Sequence, residues 1–421
     1  MLLWLVFFVN KKSNLREIKM SSFLKQAYAL EQEVVEEVTE VDGDELIETV
    51  EETEVARQES ESLGAEVERA IAVHDEIENQ NDTLEEIIEQ QGEVTPEVAA
   101  VVEVARRTAA AGLGLNPDEE GEELVDAAGL ESMVATKSVV ALEDAKETAR
   151  KLWEKIKALW EAFVKRASDF WNWLVKLVRF TDKKYKQAIA VVKTVSDEDF
   201  AKALEKLQAE DGKVANLAQS ARAALQANGK LVDVNRQVGP SIAKAEAIRN
   251  NVDGAIKKLY AEDLAKAKGA EVFKANVKTD EVVVLNEKIK VSAESGQVVC
   301  TSETDMQKVP ASFAFTRKEL MDALQIGTGV VKNLDKFANE SFKRYTKVKD
   351  EFKNAEDLKK LPEAEAKVYN ANVKAVLAAR RAIYTMEQKV VKKHNEILKA
   401  YLKIASAVAP VRAQAEETAA K

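Results

Sequence analysis

The sequence predicts a mainly α-helical fold, an elongated helical bundle or set of coiled hairpins with a small β insertion near residues 271–315. Three observations carry this. Of 421 residues, 32% are charged and 6% aromatic, with only 15 glycines and 6 prolines, a composition suited to long helices. Apolar residues recur at three- and four-residue intervals along most of the chain. That rhythm breaks in residues 271–315, where Glu281-Val282-Val283-Val284-Leu285, Lys288-Ile289-Lys290-Val291 and Gln297-Val298-Val299-Cys300-Thr301 have strand character and Glu294-Ser295-Gly296 has turn character.

Residues 1–19 open on an apolar run, Met1 to Val9, too short to span a bilayer and without a signal peptide's basic start or small-residue cleavage pattern. A translation start at Met20 accounts for them. Residues 20–131 form an acidic segment: between 21 and 131 there are 33 acidic and 5 basic side chains. Its apolar groups are small and its like charges repel, so in isolation it is expected to be weakly structured. Pro96, Gly112, Gly114 and Asn116-Pro117 divide it. Residues 132–421 carry +14 against an overall charge of −11, so an acidic front is joined to a basic body. This pairing suits either a solvated tail or a segment that masks a basic surface.

Residues 132–180 lead into the most distinctive stretch, Arg150 to Phe180, which holds four of the five tryptophans. Its apolar residues include Trp153, Ile156, Trp160, Phe163, Phe170, Trp171 and Trp173, mostly at the spacing of one helical face. The remaining side chains are basic, 8 Lys/Arg against 3 acids. Such a helix serves either as a core element or as a docking surface for a membrane, a nucleic acid or a partner helix.

Residues 181–270 predict a helical hairpin. Ser196 and Asp199 cap one helix, expected to end at Asn228-Gly229, and another is expected to follow a turn at Gly239-Pro240. Within the β insertion, Cys300 suits a buried small hydrophobe, and a lone cysteine supports neither a disulfide nor a thiolate metal site. Residues 316–421 form long helices: a capping box at Thr316 and Glu319 starts one, weakened near Gly327 and Gly329, and a turn at Pro362 precedes a last helix ending before Pro410. On that last helix Arg380, Arg381, Lys392 and Lys393 form either a solvated face or contacts for phosphate.

No catalytic set is legible. The sequence has no phosphate-binding glycine loop, no paired-histidine motif and no nucleophile elbow, and His74 and His394 lie far apart. The expectation is a non-enzymatic protein without cofactor or metal.

Where the charge changes sign, Gly129, Leu130, Glu131 and Ser132 form a small-x-Glu junction, followed by Lys151-Leu152-Trp153-Glu154-Lys155-Ile156-Lys157-Ala158. In these features the chain resembles the internal head proteins of giant tailed bacteriophages. The resemblance implies a virion structural protein made as a precursor, cut near Glu131 by the prohead protease and packaged with DNA among other head proteins. Two other readings stay open: a membrane-active protein working through the Trp-rich helix, and an elongated coiled-coil adaptor.

Overall fold

The computed structural model describes residues 40–91, 133–209, 231–284, 287–304, 316–345 and 360–408. The cleavage junction, residues 129–132, lies outside them, as do the helix end expected at Asn228-Gly229 and residues 1–39. The described chain is mainly helical with a small antiparallel sheet, in the order α1 (Glu40–Gln91), α2 (Met133–Thr194), α3 (Asp197–Ala209), α4 (Leu231–Ala261), α5 (Gly269–Asn276), β1 (Asp280–Val284), β2 (Glu287–Glu294), β3 (Gln297–Thr304), α6 (Arg317–Tyr345) and α7 (Glu363–Val408).

The long helices alternate in direction. Pairs His74 with Trp153, Arg166 with Glu59 and Lys146 with Glu85 set α1 antiparallel to α2. Ser60 with Tyr384 and Lys367 with Asp82 set α1 antiparallel to α7. On the other side Arg179 meets Asp335 and Trp171 meets Phe337, so α6 also opposes α2. Finally, Ser241 beside His394 and Arg249 beside Glu387 set α4 against α7. One hydrophobic core runs through all of these elements, so the segments distinguished by composition are not separate cores.

The helix α2 extends 17 residues before and 14 beyond the stretch 150–180, because no glycine or proline occurs between Met133 and Thr194. At 1.5 Å per residue its 62 residues span roughly 90 Å, in keeping with an elongated bundle. The Trp-rich face is its inside. Trp153, Ile156, Trp160, Phe163, Phe170 and Trp171 are all buried, and only Trp173 is left half-exposed, with Lys176 Nζ 3.8 Å from its ring centroid. These side chains therefore pack against α1, α6 and α7. In the uncut chain six of the seven thus take the core-element alternative: aromatic area is stabilised most where neighbouring helices exclude water from it. Phe163, Phe170 and Trp171 converge edge-on upon Tyr384 at 5.2, 6.1 and 6.3 Å between centroids.

Within the acidic front, α1 is an unbroken helix of 52 residues when packed in the folded chain, whereas the expectation of weak structure concerned that segment in isolation. Buried Thr53, Ala56, Ser60, Val67, Ala70, His74, Ile77 and Asn81 follow alternating three- and four-residue steps, with half-buried Leu63 completing the series and Glu54 and Gly64 buried beside it. Half of that seam is polar, so the hydrophobic pattern is faint in the sequence. Packing on α2 and α7 supplies the helix stability that local charge withholds.

Local signals elsewhere agree with the sequence. Ser196 Oγ accepts from Asp199 N at 3.1 Å, and Thr316 and Glu319 cap each other reciprocally at 3.2 and 2.8 Å. The strands pair in the order β1-β2-β3, and the β2–β3 hairpin turns through Ser295 and Gly296, both at positive φ (52° and 82°). One expectation fails. Helix α4 continues through Pro240 instead of beginning after it, carried by Ser241 and Ile242, which are buried next to it. Helix α6 runs unbroken past Gly327 and Gly329, with Gly327 placed against the Tyr185 ring. Cys300 is half-buried against the core, and burial pushes its thiol up to about 11, which disfavours the thiolate at neutral pH.

Candidate functional site

Nineteen acidic and two basic side chains lie on α1, yet α1 sits in a groove between two helices rich in lysine and arginine. The groove is therefore where the charge contrast of the sequence becomes geometry. Its centre is Lys374 on α7. Inward-facing spacing on α7 (Val373, Val376, Leu377, Met386, Val390) buries one flank of that helix and carries Lys374 inside with it. A buried ammonium requires anionic or polar partners. Lys374 Nζ has three on α1: His74 Nδ1 at 3.0 Å, Asp75 Oδ1 at 2.5 Å and Glu78 Oε2 at 2.8 Å. The Trp153 ring lies 6.0 Å from the same nitrogen and 5.4 Å from the His74 ring.

Burial works to raise the Glu78 carboxyl, but hydrogen bonds and charge from His74 and Lys374 outweigh it and hold the group down at about 2. The ligand atoms of His74, Asp75 and Glu78 lie within 4.8 Å of one another, close enough for one metal ion to bridge them. Lys374 already brings a cation to that spot, so a metal would have to compete with it. The spacing His74, Asp75, Glu78 was visible in the sequence; the lysine 296 residues downstream of Glu78 that completes the cluster was not.

Along the groove further pairs extend the same contrast. Arg381 pairs with Glu68, Arg166 with Glu59 at 2.7 Å, Lys367 with Asp82 at 2.6 Å and Lys146 with Glu85 at 2.7 Å. Ser60 Oγ and Tyr384 Oη share a buried hydrogen bond of 2.7 Å. Gly64 is the point of closest approach: a Cβ there would stand 2.9 Å from Arg381 Nε and 3.5 Å from the Phe163 ring.

These pairs revise the phosphate-contact reading of α7. Arg381 faces α1, and Lys393 lies near Glu287 and Glu396 at 3.4 and 3.5 Å. Arg380 is half-buried and only Lys392 is exposed. The long helix presented helical periodicity but not which of its sides met an acidic neighbour. Among the described residues, α2 exposes Lys151, Lys165, Lys176 and Lys183 at intervals of 14, 11 and 7 residues, a row along one side of the helix that also carries Glu154, Glu161 and Asp169.

A second charged centre joins α4, α6 and α7. Glu387 is fully buried and accepts from Arg344 at 3.1 Å, Ser341 at 3.1 Å and Arg249 at 3.4 Å, all through Oε1. Burial pushes its carboxyl up, opposed by the charges of Arg344 and Arg249. The guanidinium groups also reach Glu340 and Asp253, each at 2.9 Å. This knot fastens α4, α6 and α7 together, with Glu387 at its sealed centre and Glu340 and Asp253 at its wetter edge. The two histidines belong to different places: His74 to the Lys374 cluster and His394 to Ser241, at 3.2 Å. Among the described residues, no helix is long and apolar enough to cross a membrane. Comparison with protein-family models, with curated proteins and with solved structures finds no match to this chain.

Proposed function

We propose that this is a non-enzymatic virion structural protein of a giant tailed bacteriophage, an internal head protein made as a precursor, cut near Glu131 and packaged in the capsid with DNA. The observation that carries the reading is the acidic helix α1 folded onto basic α2 and α7, on the far side of the Gly129–Ser132 junction from both. In the precursor α1 neutralises part of the basic body and covers aromatic side chains of α2. The stripe of Lys151, Lys165, Lys176 and Lys183 suits non-specific, salt-sensitive contact with packaged DNA. Partners under this reading are the prohead protease and other head proteins.

The test is detection of the protein in purified particles with N-terminal sequencing of the packaged form. A start at Ser132 is expected, and a start at Met20 or Ser21 sinks the processing step. A membrane role would need the Trp-rich face turned outward, where six of its side chains are instead enclosed. The heptad-like seam of α1 favours an adaptor as the second reading; a stable, specific oligomer in light scattering, with no protein in particles, would favour it over packaging.

A further inference from the structure

We propose that the groove between α2 and α7 is a docking site for α1 as a separate chain, so that a cut within residues 92–132 produces a two-chain complex and not a free acidic fragment. The biological occurrence of the cut rests on the processing reading above; the docking itself does not.

The first argument is geometric. Because α1 and α2 are antiparallel and Glu85 already pairs with Lys146 at 2.7 Å, the end of α1 at Gln91 lies beside the beginning of α2. Antiparallel neighbours are joined by a few residues when the connection only has to turn the chain. Residues 92–132 are many more than a turn between such neighbours needs, which leaves room to place a cut between the two helices.

The second argument is chemical complementarity across that groove. From α1, Ala56, Val67, Ala70 and Ile77 are almost wholly enclosed, and from the other side so are Trp153, Phe163 and Tyr384. Were α1 to leave, these aromatic faces would meet water, and Lys374 would lose all three of its α1 partners together. Cations on α2 and α7 (Lys146, Arg166, Lys367, Arg381) face anions on α1 (Glu85, Glu59, Asp82, Glu68) along the length of the contact. The partner this surface fits is an acidic helix with small residues on its buried side, and α1 is that helix.

The experiment uses the full chain with a site-specific protease sequence placed within residues 92–132. After nicking, size exclusion with light scattering at about 0.1 M salt is expected to show both pieces eluting together at one to one. Raising salt to about 1 M, where the screening length falls to about 3 Å, should weaken retention at least tenfold. Lys374→Met should weaken it at low salt by at least about tenfold, since it leaves Asp75 and Glu78 without their ammonium, whereas Lys146→Met at an exposed pair should cost less than about twofold. Separation of the α1 piece from the unaltered nicked protein at low salt overturns the proposal. So does equal retention in the two lysine variants. If Lys374→Met does not fold, the unaltered nicked protein still decides the matter by whether its two pieces elute together at low salt. Because the nick is introduced, failure here is distinct from failure of the natural cut, which only the packaged form's N-terminus reports.

Discussion

Both sides of α7 carry buried charge across a helix interface, but the two sides are built oppositely. Toward α1, a lysine on α7 enters a cluster whose acids remain partly wet, the Asp75 and Glu78 side chains being 48% and 27% exposed. Toward α4 and α6, a carboxylate on α7 is sealed from water at 0% exposure and meets Arg249 at 5% and Arg344 at 19%, with the wetter acids Asp253 and Glu340 only at the outer edge. The apolar surroundings differ likewise. The α1 seam alternates alanine, serine, histidine and asparagine with a few aliphatics, while the α2–α6–α7 contact is aromatic. Partial hydration and small side chains make the first interface sensitive to salt and pH. The second behaves as permanent core.

Several measurements would break or sharpen this contrast. Trp171→Ala, deep on the permanent side, should cost about 4–5 kcal/mol in unfolding free energy from denaturant titration, through lost area and the cavity left behind. Glu387→Met, which refills the volume but takes from Arg249 and Arg344 their shared buried carboxylate and leaves each only its more exposed partner, Glu340 or Asp253, should cost about 3 kcal/mol by the same titration. Ser60→Ala should cost about 1–2 kcal/mol by stranding Tyr384 Oη, and hydrogen exchange should locate the loosening in α1 and not in α4 or α6. Equal loosening in all helices would erase the distinction between the two sides.

The pH response should follow Glu78. Its carboxyl is depressed from an ordinary value near 4.5 to about 2, so its contribution is fully present above the ordinary value and is lost as pH falls through the depressed one. Retention of α1 in the nicked protein should therefore fall between about pH 4 and pH 2, and Glu78→Gln should remove part of that dependence. Smallest of all, Lys146→Met should change global stability by no more than about 0.5 kcal/mol, as exposed pairs generally do.

The parts of this fold legible in the sequence are those set by local chemistry. Ser196 with Asp199, Thr316 with Glu319, the Ser295-Gly296 turn and the start of α7 after Pro362 depend on residues within a few positions of one another. What escaped depends on distant neighbours. The helicity of α1 comes from α2 and α7, since its own seam is too polar to signal burial. Periodicity identified a single face of α2 but could not say whether protein or solvent lay against it, so the tryptophans were equally compatible with docking and with core. Lys374 shows the limit plainly: one lysine among many on a long helix, distinguished only by the His74, Asp75 and Glu78 that the fold delivers to it. Pro240 is a milder case, in which adjoining buried contacts outweighed a reliable local helix breaker.

Gly64 bears on a different problem, alignment. A heptad seam repeats itself, so sliding α1 by seven residues, about 10 Å, would return a similar face to the groove. In one direction Asp82 and Glu85 would even replace Asp75 and Glu78 beside Lys374. Yet such a slide brings Arg57 or Ile71 to the place of Gly64, where even a Cβ would come within 2.9 Å of Arg381. A side chain at that place would oblige Arg381 to shift, so the missing methyl favours the observed register over slides that bring Arg57 or Ile71 there, by as much as moving that one flexible arginine costs.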